Sequence, residues 1–198
     1  MEKKLLKCLV DFYSKLACLD NNWKELSKSN EKVLNALRNQ VEQLRHVTSS
    51  EVDNAELFKI EGLRDQLIFK IHAGIDEEIV AIYDTLTQLN NDTQDLKNRL
   101  INLERTRSKL SLDHENMSEL VNGTTRRPKL NLLLEWAIDA CDYYQNIYYR
   151  INNSLKALDY KDEQSIQKLA GSFIEKEMPR TKIDRILAYT QFLAQETC

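Results

Sequence analysis

Seven isoleucines and leucines stand seven residues apart in one unbroken series: Ile68, Ile75, Ile82, Leu89, Leu96, Leu103 and Leu110. Ile79, Leu86, Thr93 and Leu100 fill the second position of the same repeat. A strand turns successive side chains to opposite faces, so a seven-residue period would scatter these groups over both sides of a sheet. A helix with about 3.6 residues per turn gathers them into one stripe. The series therefore requires a long helix that buries its stripe against other helices.

Two further segments carry the same pattern. Leu5, Leu9, Phe12, Leu16, Leu19, Trp23 and Leu26, then Val33, Leu37 and Leu44, advance in steps of four and three. The polar Asn30 interrupts this seam at a core position, where an amide sets register and partner choice at some cost in stability. A third seam runs through Leu130, Leu134, Ala137, Cys141, Tyr144, Tyr148, Ile151, Leu155 and Leu158, with a second apolar stripe beside it in Leu133, Trp136, Ala140, Tyr143 and Ile147. Only four glycines and two prolines punctuate the chain, too few for the turns of a sandwich or an α/β sheet. The expected fold is all-α: an elongated antiparallel bundle of three long heptad-patterned helices with one or two short C-terminal helices.

Residues 1–110 read as a long helical hairpin, with helices over about 3–46 and 54–110. HVTSSEVDN forms its turn, and Thr48 with Glu51 or Ser50 with Asp53 supplies a capping pair. Leu57, Ile60, Leu63 and Leu67 give the second helix an early apolar face, which Gly62 and Gly74 bend or divide. Residues 111–129, ending in NGTTRRPK, read as an exposed loop. Residues 130–198 hold the third long helix and short helices that pack on the hairpin, one domain overall. Pro179 separates the short helices, the last of them capped by Thr181 and Asp184.

Function is bounded mainly by what is missing from the sequence. A net charge of −3 with 30% charged residues is balanced, unlike the one-sided basic field that nucleic acid attracts. The short basic clusters RTRSK and RRPK are offset by acids on the second helix and read as solvated. No stretch approaches the roughly 20 apolar residues that cross a bilayer, and the N-terminus reads as no signal peptide, so an intracellular protein is expected. Cys8, Cys18, Cys141 and Cys198 are scattered and read as free thiols, and the sequons at Asn91, Asn116, Asn122 and Asn152 as unused. His46, His72 and His114 lie far apart, outside any nucleophile or metal motif, and no phosphate loop is present. Neither an enzyme nor a cofactor is expected.

The aromatics of the third helix are the most informative side chains. Tyr144 and Tyr148 lie on its seam and are expected to hold the fold. Trp136 and Tyr143 lie on the neighbouring stripe, which three helices need not cover, and are candidate partner-binding residues. Trp23 is a third candidate, and Asn30 a candidate for pairing specificity.

LLKCLVDFYSKLACLDNNWKEL, LFKIEGLRDQLIFKIHAGIDEEIVAIYDTL and LLLEWAIDACDYYQNIYYRINNSL, with the short helical region after them, resemble the AIRIM family of ribosome maturation factors. The resemblance implies a non-catalytic adaptor that pairs with a second helical subunit, similar to the cyclin-dependent-kinase-interacting protein, and docks on an AAA ATPase. The implied task is release and recycling of assembly factors from pre-60S particles, in cytoplasm or nucleus, with a related role in protein turnover at replicating chromatin. Heptads alone fit equally a structural coiled-coil protein such as a tether, cytoskeletal linker or spectrin-like bundle.

Overall fold

The computed structural model describes residues 2–53, 55–110, 118–125 and 127–193. Among them every regular element is helical: α1 (Glu2–Thr48), α2 (Leu63–Ser108), α3 (Ser118–Asn122), α4 (Leu130–Lys156), α5 (Glu163–Phe173) and α6 (Glu177–Thr190). Their contacts divide the chain into two compact units.

The first unit comprises Met1–Trp23, Leu89–Tyr149 and Glu175–Cys198. Leu5, Leu9, Phe12 and Leu16 of α1, Leu89, Leu96 and Leu103 of α2, and Leu130, Leu133 and Ala137 of α4 are all at most 1% exposed. Cross-links fix the helix directions. Cys8 lies against Thr106, and Lys15 donates to Asp92 at 2.7 Å, so α1 and α2 run antiparallel here. Tyr13 donates to the Leu133 carbonyl and Tyr144 to Asp20, so α4 runs parallel to α1. Ile183 and Ile186 of α6, each 1% exposed, complete the core. Arg99 joins Asp95 on its own helix to Asp11 on α1.

The second unit comprises Lys24–Gln88 and Arg150–Ile174. Its buried residues include Leu37 and Val41 of α1, Ile75 and Ile82 of α2, Ile151 and Leu155 of α4, and Ile166 and Leu169 of α5. α5 is N-capped by Asp162, whose side chain accepts from the Gln164 amide. Arg150 holds the end of α5 by donating to the carbonyls of Ser172 and Ile174. α1 and α2 approach closely at Gly74, where an added Cβ would stand 2.2 Å from the Gln40 side-chain amide.

Several expectations are corrected by local chemistry. α2 begins at Leu63, nine residues later than the expected 54, after two 3-10 turns at Ser50–Val52 and Glu56–Lys59. Ser49 caps the first turn, whereas Thr48 bonds back to the Leu44 carbonyl, so neither expected capping pair forms. Arg64 ties the turn together by donating to Asp53 and to the carbonyls of Val47 and Ser49. Of the expected early apolar face, Ile60 is 59% and Leu67 38% exposed, Leu63 is half-buried, and the side chain of Leu57 lies outside the described residues. Pro179 does not lie between helices but sits in the first turn of α6, where a missing N–H costs nothing. Thr181 therefore lies inside α6, bonded to the Glu177 carbonyl, and Asp184 receives Arg180. The expected exposed loop is partly built structure: α3 buries Leu120, Gly123 closes it at φ +76°, and Arg127 is 6% exposed. Residues 111–117 lie outside the described residues.

Candidate functional site

The most heavily built region of the first unit is a polar knot around Asp20, a carboxylate only 2% exposed. Such a charge persists in a core only when paired and hydrogen-bonded. Its Oδ1 accepts from the Tyr144 hydroxyl at 2.6 Å and from Arg180 Nη1 at 2.5 Å, and its Oδ2 accepts from Arg180 Nη2 at 3.2 Å. Arg180 also donates to Asp184 one turn along α6 and lies 3.6 Å from Glu175. Glu175 in turn accepts the indole N–H of Trp23. Burial opposes the Arg180 charge, but its hydrogen bonds to Asp20 and Asp184 outweigh that and hold the guanidinium firmly protonated. Tyr144 is pushed far above the ordinary phenol range by burial first and by the Asp20 charge second. The knot is a clamp that fixes α6 to α1 and α4.

With α6 clamped, the second stripe of α4 acquires a cover. Lys182 pairs with Asp139 at 2.7 Å, and Tyr189 stacks on Trp136 with ring centroids 5.8 Å apart and planes 26° apart. The cover is incomplete. Tyr189 stays 56% exposed; Leu132, one turn before Trp136, is 38% exposed; Phe192, just past α6, is 47% exposed. Exposed Arg185 lies one turn before Tyr189. Tryptophan, tyrosine, phenylalanine and arginine on a rigid support are the residues that dominate binding energy at protein interfaces. This patch is the candidate site.

Of the sequence candidates, Trp136 lies in the patch, half-buried. Tyr143 turns inward: its hydroxyl is buried beside Glu175 and Arg180, its ring meets Tyr144 edge-on at 5.0 Å, and burial raises its pKa. Trp23 is 1% exposed, so in this fold it is a core residue and offers no surface. Asn30 belongs to the second unit, where its Nδ2 donates to Thr85 of α2 at 2.7 Å and to the Leu26 carbonyl. The pairing it touches is thus between helices of its own chain. Of the seam tyrosines, Tyr144 is 0% exposed, whereas Tyr148 is half-buried and meets Tyr149 at 5.5 Å. Sequence reasoning missed Asp20, Arg180 and Tyr189. The Arg180 and Asp184 spacing is readable as a helical pair, but nothing local links either residue to Asp20.

Other chemistry is sparse. Among the described residues no group of three or more His, Cys, Asp or Glu is placed to hold a metal ion. His46 is exposed beside Glu42, and His72 meets Tyr160 edge-on at 5.8 Å. The latter pair lines an open 480 Å³ pocket of the second unit with Val41, Leu44, Arg45, Thr48 and Lys161. Cys8, Cys18 and Cys141 are free, and Cys198 lies outside the described residues. Burial, aided by Asp142, pushes the Cys141 thiol up to about 12, which keeps it un-ionised and unreactive at neutral pH. No helix among the described residues is long and apolar enough to cross a membrane.

Fold and surface define an all-α helical protein that carries an exposed aromatic patch. The chain belongs to the family described as ribosome biogenesis protein C1orf109-like (CA109-like), whose model it matches over residues 3–192. No curated protein sequence matches it. The family places the chain in ribosome biogenesis, in agreement with its resemblance to ribosome maturation factors; the match lends nothing to the more distant likeness to the cyclin-dependent-kinase-interacting protein.

Proposed function

We propose that the chain is a non-catalytic helical adaptor in ribosome maturation. It pairs with a second helical subunit, similar to the cyclin-dependent-kinase-interacting protein, and docks on an AAA ATPase that releases and recycles assembly factors from pre-60S particles. A related task in protein turnover at replicating chromatin belongs to the same reading, as does a cytoplasmic or nuclear location. The family supports the ribosomal role. The observation that carries the adaptor role is the Trp136 and Tyr189 stack, clamped in place yet left open to a partner. Hydrolysis is assigned to the ATPase, since this sequence contains no phosphate-binding loop.

Affinity purification of the tagged full chain with mass spectrometry tests the reading. The expected result is co-purification of pre-60S proteins and an AAA ATPase. The double change Trp136→Ala with Tyr189→Ala should weaken that recovery, by about 30-fold in affinity for a loss of about 2 kcal/mol, while the circular dichroism spectrum stays helical. Recovery of membrane or cytoskeletal proteins instead would favour a structural coiled-coil protein.

A further inference from the structure

α2 carries a second seven-residue pattern on its outer side. Phe69, Ala73, Asp76, Val80, Tyr83 and Thr87 follow one another in steps of four, three, four, three and four, and all six are exposed. They lie roughly opposite the buried Ile75, Ile82 and Leu86 of the same helix. Single apolar residues on a surface are ordinary. Here Phe69 is 74%, Val80 57% and Tyr83 47% exposed, and they form one row about 21 Å long at 1.5 Å per residue. The spacing is that of a coiled-coil seam, and among the described residues no helix packs on it.

Charge selects the occupant. Between residues 65 and 88 the helix holds five acids (Asp65, Asp76, Glu77, Glu78, Asp84) against one base (Lys70), so five minus one leaves a net charge of −4. Asp76 stands within the row itself, and Glu77 and Asp84 flank it, all three exposed. A second copy laid on this face would set Asp76, Glu77 and Asp84 against the same three carboxylates. We propose that the outer face of α2 is the docking seam for a basic amphipathic helix of a different protein, with a lysine or arginine opposite Asp76. Phe69, Val80 and Tyr83 supply the apolar grip; the Asp76 pair sets register, as a lone polar position does within a coiled coil. This deepens the adaptor reading, on which it rests, by giving the helical partner a surface and a chemistry.

The test uses the full chain and two synthetic helical peptides. Both have leucine at the seam positions of three heptads and lysine on the flanks; one carries lysine and the other glutamate at the central seam position. In fluorescence anisotropy the lysine peptide should bind the natural sequence, and Val80→Glu should weaken it at least about 30-fold, the loss expected of an interface anchor. Asp76→Lys should weaken the lysine peptide and restore the glutamate peptide. Unchanged thermal melting of both variants shows that only the surface has changed. Binding indifferent to Val80→Glu, or no binding of either peptide, overturns the proposal. So does a dimer in sedimentation equilibrium that Val80→Glu dissolves, since the seam would then take a second copy. Failure here with pre-60S recovery intact leaves the adaptor reading standing without this surface. The reverse outcome removes the ribosomal partners and keeps the seam.

Discussion

Asp20 shows how much one side chain decides in this protein. Removing Arg180 leaves its carboxylate buried with Tyr144, and breaking a buried pair from one side costs about 3–5 kcal/mol. Arg180→Ala should lower the stability of the full chain by that order in urea denaturation, whereas Asp184→Ala, at the 56%-exposed end of the same network, should cost less than about 1 kcal/mol. Asn30 predicts the opposite sign. Its Nδ2 is satisfied, but its Oδ1 is buried without a hydrogen bond, and Thr85 has another partner in the Ala81 carbonyl. Asn30→Leu should therefore raise the melting point by the equivalent of about 1 kcal/mol and loosen the register between α1 and α2. Light scattering that shows a changed assembly would mean the amide also selects an intermolecular partner. A lower melting point would mean that the two amide bonds outweigh the unsatisfied oxygen.

Elements end where backbone geometry permits. Gly123 holds φ +76° after α3 and donates its amide to the Glu119 carbonyl; a Cβ there would stand 2.7 Å from the Arg127 carbonyl oxygen. Gly123→Ala adds left-handed strain to that clash and should cost about 1–3 kcal/mol, measured by thermal melting. Along α4 the two aromatic stripes divide differently from the expected pairs. Tyr144 is fully buried while Tyr148 is half-buried, and Tyr143 turns inward while Trp136 stays in the open patch. Tyr144→Ala should thus cost about 3–5 kcal/mol, Tyr148→Ala less, and Trp136→Ala should act on partner recovery more than on the melting point.

For the whole molecule the clearest handle is alkaline pH. Burial raises the phenols of Tyr13, Tyr143 and Tyr144 above the free value of 10.0, with Asp139, Glu175 and Asp20 respectively the next contributors. A raised folded pKa gives stability that is complete below the unfolded pKa. It is lost as pH climbs from there toward the folded value, because the unfolded chain ionises first. The melting point should hold up to about pH 10 and fall above it. Tyrosinate absorbance should rise together with loss of helix in circular dichroism, and Tyr144→Phe should shrink the fall.

Heptad spacing determined the helices by itself, because burial of a stripe at that period has only one regular solution. Leu5 to Leu44, Ile75 to Leu103 and Leu130 to Leu155 took the interior places that their spacing assigns, give or take a half-buried position such as Leu26 or Leu134. Spacing says nothing about φ, so the late start of α2 and the proline within the first turn of α6 were not legible. Nor does it say which helix a stripe faces. That Asp20 would meet Arg180, 160 residues away, and that α6 would thereby be held so that Tyr189 covers Trp136, only the tertiary structure decided. An ion pair of that separation has no local signature; it exists because folding brings the two charges to the same place, where their attraction and hydrogen bonds offset the water each has lost.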